Sequence, residues 1–254
     1  MINNIRRNTA HPVLILDAGN TLFGQMLALQ SEGRVIVEAM NAMGYDAMTV
    51  GLADLSKGVK VLLARAEEAR FAILSSNMVD EVTGELLLEP YTIIERDGMR
   101  FGILGVSEPD IVRAPSRDAR TIKALDPVET VRRYLPEVEA ASDVVILLSH
   151  LGLDEDKALA QAVPGIDIIV GGRTRKLMST PERIGDTVII QMGYDGEWLG
   201  QTEVVLNAEG VVQEAMVKVV TLGPDVPDDP LLARLVDTYE RRYPTPTLPV
   251  KRGP

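Results

Sequence analysis

Six polar residues sit directly behind short apolar runs, where their types and spacing could do chemistry. Asp17 and Asn20 lie in LDAGNTLFG, Asp54 in GLADLSKG, His150 in LLSHLG, and Arg173 and Arg175 in GGRTRK. Carboxylates and neutral imidazole are ligands that divalent cations accept. A close pair of such ions can clamp a phosphate and generate a hydroxide nucleophile. Two features oppose that chemistry here. Asn20 has the shape of a carboxylate without its charge, while Arg173 and Arg175 stay protonated and repel cations. One imidazole alone does not hold zinc usefully, so His150 is expected to hydrogen-bond nearby backbone. The two arginines would share one side of an extended chain and match a phosphate or carboxylate in bidentate fashion. Over that anion pocket, the favoured expectation is that they fill the vacated metal cavity by forming a salt bridge with at least one of Asp17 and Asp54.

Composition narrows the partners. With 46% hydrophobic and 25% charged residues among 254, the chain reads as an ordinary globular protein able to bury a core. Its formal charge of −11 opposes binding to nucleic acid or to an anionic membrane surface. The absence of cysteine excludes disulfides, thiolate metal sites and a cysteine nucleophile. No apolar run is long enough to span a bilayer, and the start shows no signal-peptide pattern, so a cytoplasmic location is the default expectation.

The elements that must position these residues alternate in type, which points to an α/β fold. Val13–Leu16 is a compact apolar run of buried-strand type. Gln25–Met43 has helical spacing and is closed by Gly44. Asp46–Val50 predicts a strand, Lys57–Arg70 a helix and Ala72–Ser75 a further strand, with Met40, Met43 and Met48 in the core. Tyr91–Arg96 and Arg100–Val106 flank Asp97-Gly98, a two-residue hairpin signal. Residues 109–120 read as loop. A helix over 127–140 leads to the strand Val144–Leu148, which delivers Ser149 and His150. Residues 154–162 predict a helix, and Ile166–Val170 a buried strand ending in Gly171-Gly172. Val188–Met192, Leu199–Leu206 and Val211–Val220 suggest a late meander. Asp229 and Pro230 open a last helix, and PTPTLPVKRGP follows as extended, proline-rich chain. The expected division is therefore a domain over 1–222 and a helix with linker over 223–254.

In their order, the four motifs resemble the metallophosphatase (calcineurin-like phosphoesterase) domain of the 5′-nucleotidase family. There the corresponding patterns run roughly D-x-G-D, G-N-H-E-F-D-x-G, S-H-x-G and G-G-H-x-H. The resemblance extends from Leu14 to Tyr239 and is carried further by RFGILGVSEPD and VPGIDIIVGG. It implies a four-layer α/β/β/α sandwich, two mixed sheets flanked by helices, with metals held on loops at strand C-termini. Against that pattern Asn20 replaces the bridging Asp, Leu52-Ala53 replace an Asn-His pair, and Arg173 and Arg175 replace two His. His150 is retained, and no D-x-H strand occurs in 1–12.

These departures lead to the expectation of a non-catalytic member of the family, with no metal cofactor, binding a small anion or a protein partner. The vestigial or anion-binding residues would be Asp17, Asn20, Asp54, His150, Arg173 and Arg175. The alternative is an active phosphate-ester hydrolase. It would use either a divalent metal in a rearranged site or Asp17 as nucleophile, since LILDAGNTL resembles the first motif of haloacid-dehalogenase-type phosphatases. That second route needs Mg²⁺ and an acidic motif, for which Gly185-Asp186 is the candidate. The fold distinguishes the two: facing sheets should gather Asn20, Leu52-Ala53, His150 and Arg173 at one edge.

Overall fold

A computed structural model describes residues 1–116, 118–207 and 210–244. The proline-rich segment expected after the last helix lies almost wholly outside the described residues. In chain order the elements begin with α1 (Ile2–Asn8), β1 (Leu16–Asp17), α2 (Met26–Gln30), α3 (Arg34–Met43) and β2 (Ala47–Thr49). There follow α4 (Val59–Glu68), β3 (Ala72–Leu74), β4 (Met78–Asp80), β5 (Tyr91–Arg96), β6 (Met99–Val106) and β7 (Ile122–Ala124). Next come α5 (Pro127–Ala141), β8 (Val144–Ser149), α6 (Leu153–Ala162), β9 (Ile168–Gly171) and β10 (Glu182–Ile184). The last are β11 (Thr187–Gln191), β12 (Trp198–Leu206), β13 (Val212–Thr221) and α7 (Pro230–Arg242).

Two sheets face each other. The smaller runs β1-β2-β3 and is parallel. The larger runs β10-β11-β9-β8-β6-β5, with β11, β9, β8 and β6 parallel and both edge strands antiparallel. The central strands are continuous apolar runs because both of their faces are covered. Strand periodicity divides them: Ile146 and Leu148 of β8 meet Ala47 and Leu74 of the small sheet, whereas Val145 and Leu147 meet Val131, Leu135 and Leu159 from α5 and α6. A third cluster packs Met40 of α3 and Leu62 of α4 onto Met48 and Ile73. Helices, small sheet, large sheet and helices thus form the four expected layers. Each fully buried leucine among them contributes about 1.5–3 kcal/mol.

Gly105 sets the spacing between the sheets. A Cβ there would lie 2.6 Å from Leu74 Cβ and 2.7 Å from the Leu74 carbonyl oxygen, so only glycine permits this approach. The Asp97-Gly98 hairpin forms as expected, both residues having positive φ (52° and 80°). At the other end of the fold, Asp229 caps α7 by accepting from Leu231 N and Leu232 N. Tyr239 then packs α7 against Ala28 and Val35 and donates to Glu38 Oε1 at 2.6 Å.

Three expectations need correction. The single helix over 25–43 is two, because Glu32 and Gly33 take φ of 52° and 79° and turn the chain between α2 and α3. The late meander does not form: β11 pairs with β9 inside the large sheet, and β12 and β13 make their own ribbon. That ribbon covers the inter-sheet core with Val204, Leu206, Ala215 and Val217. The segment read as loop over 109–120 contains short 3-10 turns at Pro109–Arg113 and Asp118–Thr121. Helix α1 gave no usable signal. Its Arg6 caps α3 by donating to Met43 O at 2.9 Å.

Candidate functional site

The predicted residues converge because parallel strands send their following loops to one edge. Asp17 ends β1, Gly51 follows β2, His150 follows β8, and Gly171 and Gly172 close β9. His150 is buried and its Nδ1 lies 2.6 Å from Ala18 O. A carbonyl only accepts, so Nδ1 carries the proton and Nε2 faces the other way. A Cβ at Gly51 would collide with Asn20 Oδ1 and fall 2.7 Å from His150 Nε2. Both loops therefore close around the imidazole. Asn20 Oδ1 accepts from Ala53 N at 2.7 Å, and Arg173 Nη1 donates to Leu151 O at 2.9 Å. The meeting of Asn20, the 52–53 loop, His150 and Arg173 at one edge is borne out.

Asp54 is fully buried and holds this edge together. Its Oδ2 accepts from Asn20 N at 2.7 Å and Gly51 N at 3.0 Å, and its Oδ1 from Thr21 N at 2.9 Å and Leu22 N at 2.8 Å. Burial pushes its pKa up and the backbone donors pull it down. All four donors need an acceptor, so we assign the ionised form at neutral pH. Asp17 Oδ1 accepts from Gly19 N at 2.8 Å and Thr21 Oγ1 at 2.5 Å. Its pKa is also raised by burial, against those two hydrogen bonds. Both carboxylates thus serve the 17–22 turn.

The expected salt bridges from the arginines to Asp17 or Asp54 are absent. Arg173 Nη2 reaches Asp110 Oδ2 at 3.4 Å, and the Arg175 guanidinium lies 5.4 Å from the Tyr194 ring centroid. The reason is backbone conformation: Arg173 and Arg175 have φ of 61° and 57°, so the chain is not extended there. Left-handed turns carry both side chains to the rim. Since the Arg173 and Asp110 side chains are 38% and 47% exposed, Arg173→Ala should cost under about 1 kcal/mol. A urea unfolding curve showing a loss above about 2 kcal/mol would contradict this placement.

Two features were not anticipated. Ser149 Oγ donates to Asp156 Oδ1 at 2.5 Å, and Gln191 Nε2 reaches Asp156 Oδ2 at 3.5 Å. Thr174 Oγ1 in turn donates to Gln191 Oε1 at 2.6 Å, tying this buried network to the arginine loop. Burial pushes the Asp156 pKa up to about 7. The second feature is Glu108, buried beside His150, whose Oε1 accepts from Leu52 N at 3.0 Å. Glu108 falls within RFGILGVSEPD, yet nothing in the local sequence around either residue names its partner.

No family model matches the chain. The chain is 27% identical over 281 residues to the trifunctional nucleotide phosphoesterase protein YfkN of Bacillus subtilis, an alignment that takes in 94% of the chain and 19% of the relative. It is 29% identical to a probable 5′-nucleotidase of Treponema pallidum, over 85% of the chain and 40% of the relative. The crystal structure of a 5′-nucleotidase precursor from Thermus thermophilus superposes with a TM-score of 0.85 at 26% identity, covering 95% of this chain and 51% of that one. The architecture is therefore that of the metallophosphatases. Within that class the chain is a relative of the metallophosphatase domain of 5′-nucleotidases, and it spans less than half the length of these two curated relatives.

This relationship corrects one expectation. The relatives belong to a family of metal-dependent phosphoesterases, so the expectation of no metal cofactor does not stand. The donors present nonetheless do not fit the family's dinuclear arrangement. Asp54 is engaged by four backbone N–H groups, position 20 carries an amide, and positions 173 and 175 carry cations turned to the rim. Among the described residues no three His, Asp or Glu side chains cluster as a metal site. The dehalogenase-type route is also corrected. Asp17 is the last residue of β1, at its C-terminal end, whereas Asp186 precedes β11 at the opposite edge of the sheets.

Proposed function

We propose that this chain is a non-catalytic member of the 5′-nucleotidase group whose motif edge binds an anionic group, free or presented by a protein partner. The carrying observation is the fate of the ligand positions. Asp54 and Asn20 bond to backbone, and Arg173 and Arg175 stand partly exposed where the family pattern has histidines. Arg175 over Tyr194 presents one guanidinium edge beside an aromatic face, suited to phosphate or carboxylate. No helix of the described residues is long and apolar enough to cross a membrane.

An active hydrolase with a rearranged metal site is the competing reading, favoured by the unpartnered Nε2 of the buried His150. Assay of the purified chain with nucleoside monophosphates and p-nitrophenyl phosphate, with Mn²⁺, Zn²⁺ or Mg²⁺ added, decides between them. The expected result is no turnover above buffer. Metal-dependent turnover that vanishes in His150→Ala would establish the hydrolase instead.

A further inference from the structure

The fold has a second opening at the end opposite the motif edge, where β2 and β3 begin and β5 ends. Arg6, Arg70 and Arg96 line it together with Tyr45, Phe71 and Thr92, around a cleft of about 550 Å³. That is the size of a small-ligand site. Each arginine comes from a different element. Arg6 belongs to α1, Arg70 to the bend before β3 of the small sheet, and Arg96 to edge strand β5 of the large one. The rings of Tyr45 and Phe71 lie 6.3 Å apart and give the cleft an apolar wall.

Acidic groups do not balance these charges. Strand alternation sends Arg96 to the side of Ile94, which packs between the sheets, and Glu95 to the side of Ile93, which packs toward α5. Among the lining residues Asp46 is then the one carboxylate facing three guanidinium groups, and both of its oxygens are engaged. Oδ2 accepts from Ile15 N at 2.7 Å and Oδ1 from Arg96 Nη2 at 2.7 Å, with Arg6 Nη2 4.0 Å from Oδ2. Arg6 also donates to Met43 O at 2.9 Å and to Gly44 O, and Arg96 to Glu95 O at 3.0 Å. These bonds fix both side chains without exhausting them, since a guanidinium has five N–H donors. Arg70 is bonded only through its backbone N–H, to Asn41 Oδ1 at 2.6 Å, and its guanidinium pairs with nothing among the described residues. A guard against edge-to-edge strand pairing would explain Arg96. It would not explain Arg6 and Arg70, which lie off that strand.

We infer that this cleft binds a small oxyanion, through a phosphate or carboxylate group gripped by Arg6, Arg70 and Arg96. Guanidinium forks match both groups in bidentate fashion. The Thr92 hydroxyl, on the same strand face as Arg96, adds a donor. In a chain of net charge −11 the cleft is a local reversal of sign, which concentrates anions there. It opens at the N-terminal ends of β2 and β3, whereas the motif edge lies beyond the C-terminal ends of the parallel strands. The two places share no residue, so this site does not depend on the reading proposed for the motif edge.

The test uses the whole ¹⁵N-labelled chain, titrated with pyrophosphate and, separately, with citrate at constant ionic strength. For at least one of them the backbone amide resonances of Gly44, Ala72 and residues 92–96 should shift together and saturate, with a Kd of about 1 mM or tighter. Saturation by pyrophosphate alone identifies a phosphate site, and by citrate alone a carboxylate site. Arg70→Ala should weaken the binding at least about tenfold, the loss of one charge-assisted contact. Its side chain makes no bond in the fold, and amide resonances outside the cleft check that the variant is folded. Arg70→Lys keeps the charge without the fork and should fall between the two. Arg175→Ala should leave these shifts unchanged, which separates this cleft from anion binding at the motif edge. Linear shifts that never saturate with either anion would mean an adventitious ion only and overturn the assignment. Undiminished binding by Arg70→Ala, or shifts that vanish in Arg175→Ala, would overturn it as well.

Discussion

The Asp54→Ala variant is expected to lose roughly 3–5 kcal/mol of folding stability, a large share of the ~5–15 kcal/mol typical of a domain. The carboxylate takes four backbone N–H groups from two loops, residues 20–22 after β1 and Gly51 after β2. Removing it strands these donors in a place where Asp54 itself has no exposure. Each stranded donor costs about 1–3 kcal/mol unless water reaches it. Asp54→Asn is the sharper comparison. It preserves shape but presents an amide NH₂ to two donors, so it should recover only part of the loss. Urea midpoints for the three proteins measure this. An Asp54→Asn curve superimposed on wild type would mean the N–H groups are satisfied some other way.

That role for Asp54 could not be read from the sequence, and the reason is general to this site. Local signals did identify what local physics controls. Asp97-Gly98 demanded two positive φ angles and made the hairpin, Asp229-Pro230 opened α7, and VVILLS announced a strand buried on both faces. Juxtaposition at the motif edge was also legible, because parallel strands place their following loops together. The partners of polar side chains were not. Whether Asp54 meets an arginine or a row of backbone amides depends on loop conformation, here on the left-handed φ of Asn20, Arg173 and Arg175. An arginine has no evident reason to adopt that conformation, so an extended loop was the natural expectation. Glu108 was invisible for a different reason. It stands alone in a Ser-Glu-Pro stretch, and only the pairing of β6 with β8 brings it beside His150.

Stability should fall as pH rises through the neutral range on account of Asp156, while burial also raises the pKa of Asp17 and Asp54 and so acts in the same sense. Its side chain is fully buried in the first turn of α6. A helix N-terminus favours an anion there, but desolvation dominates and raises the pKa from 3.8 to about 7. Between those values the native protein keeps a proton that the unfolded chain has released. Stability then decreases with rising pH from about 4 through about 7 and levels off above. The full effect is on the order of 4 kcal/mol. Surface pairs work in the opposite sense. Hydrogen bonding to Arg100 lowers the Asp143 pKa, and hydrogen bonding to Lys157 and Lys176 lowers that of Glu182, so their contributions fade as pH falls through the acid range. The raw pH profile mixes both trends, and the difference between wild type and Asp156→Asn isolates one. Asparagine imitates the protonated acid, so the variant should match wild type near pH 4 and exceed it by a few kcal/mol at pH 8. Equal differences at the two pH values would show that Asp156 does not titrate in this window.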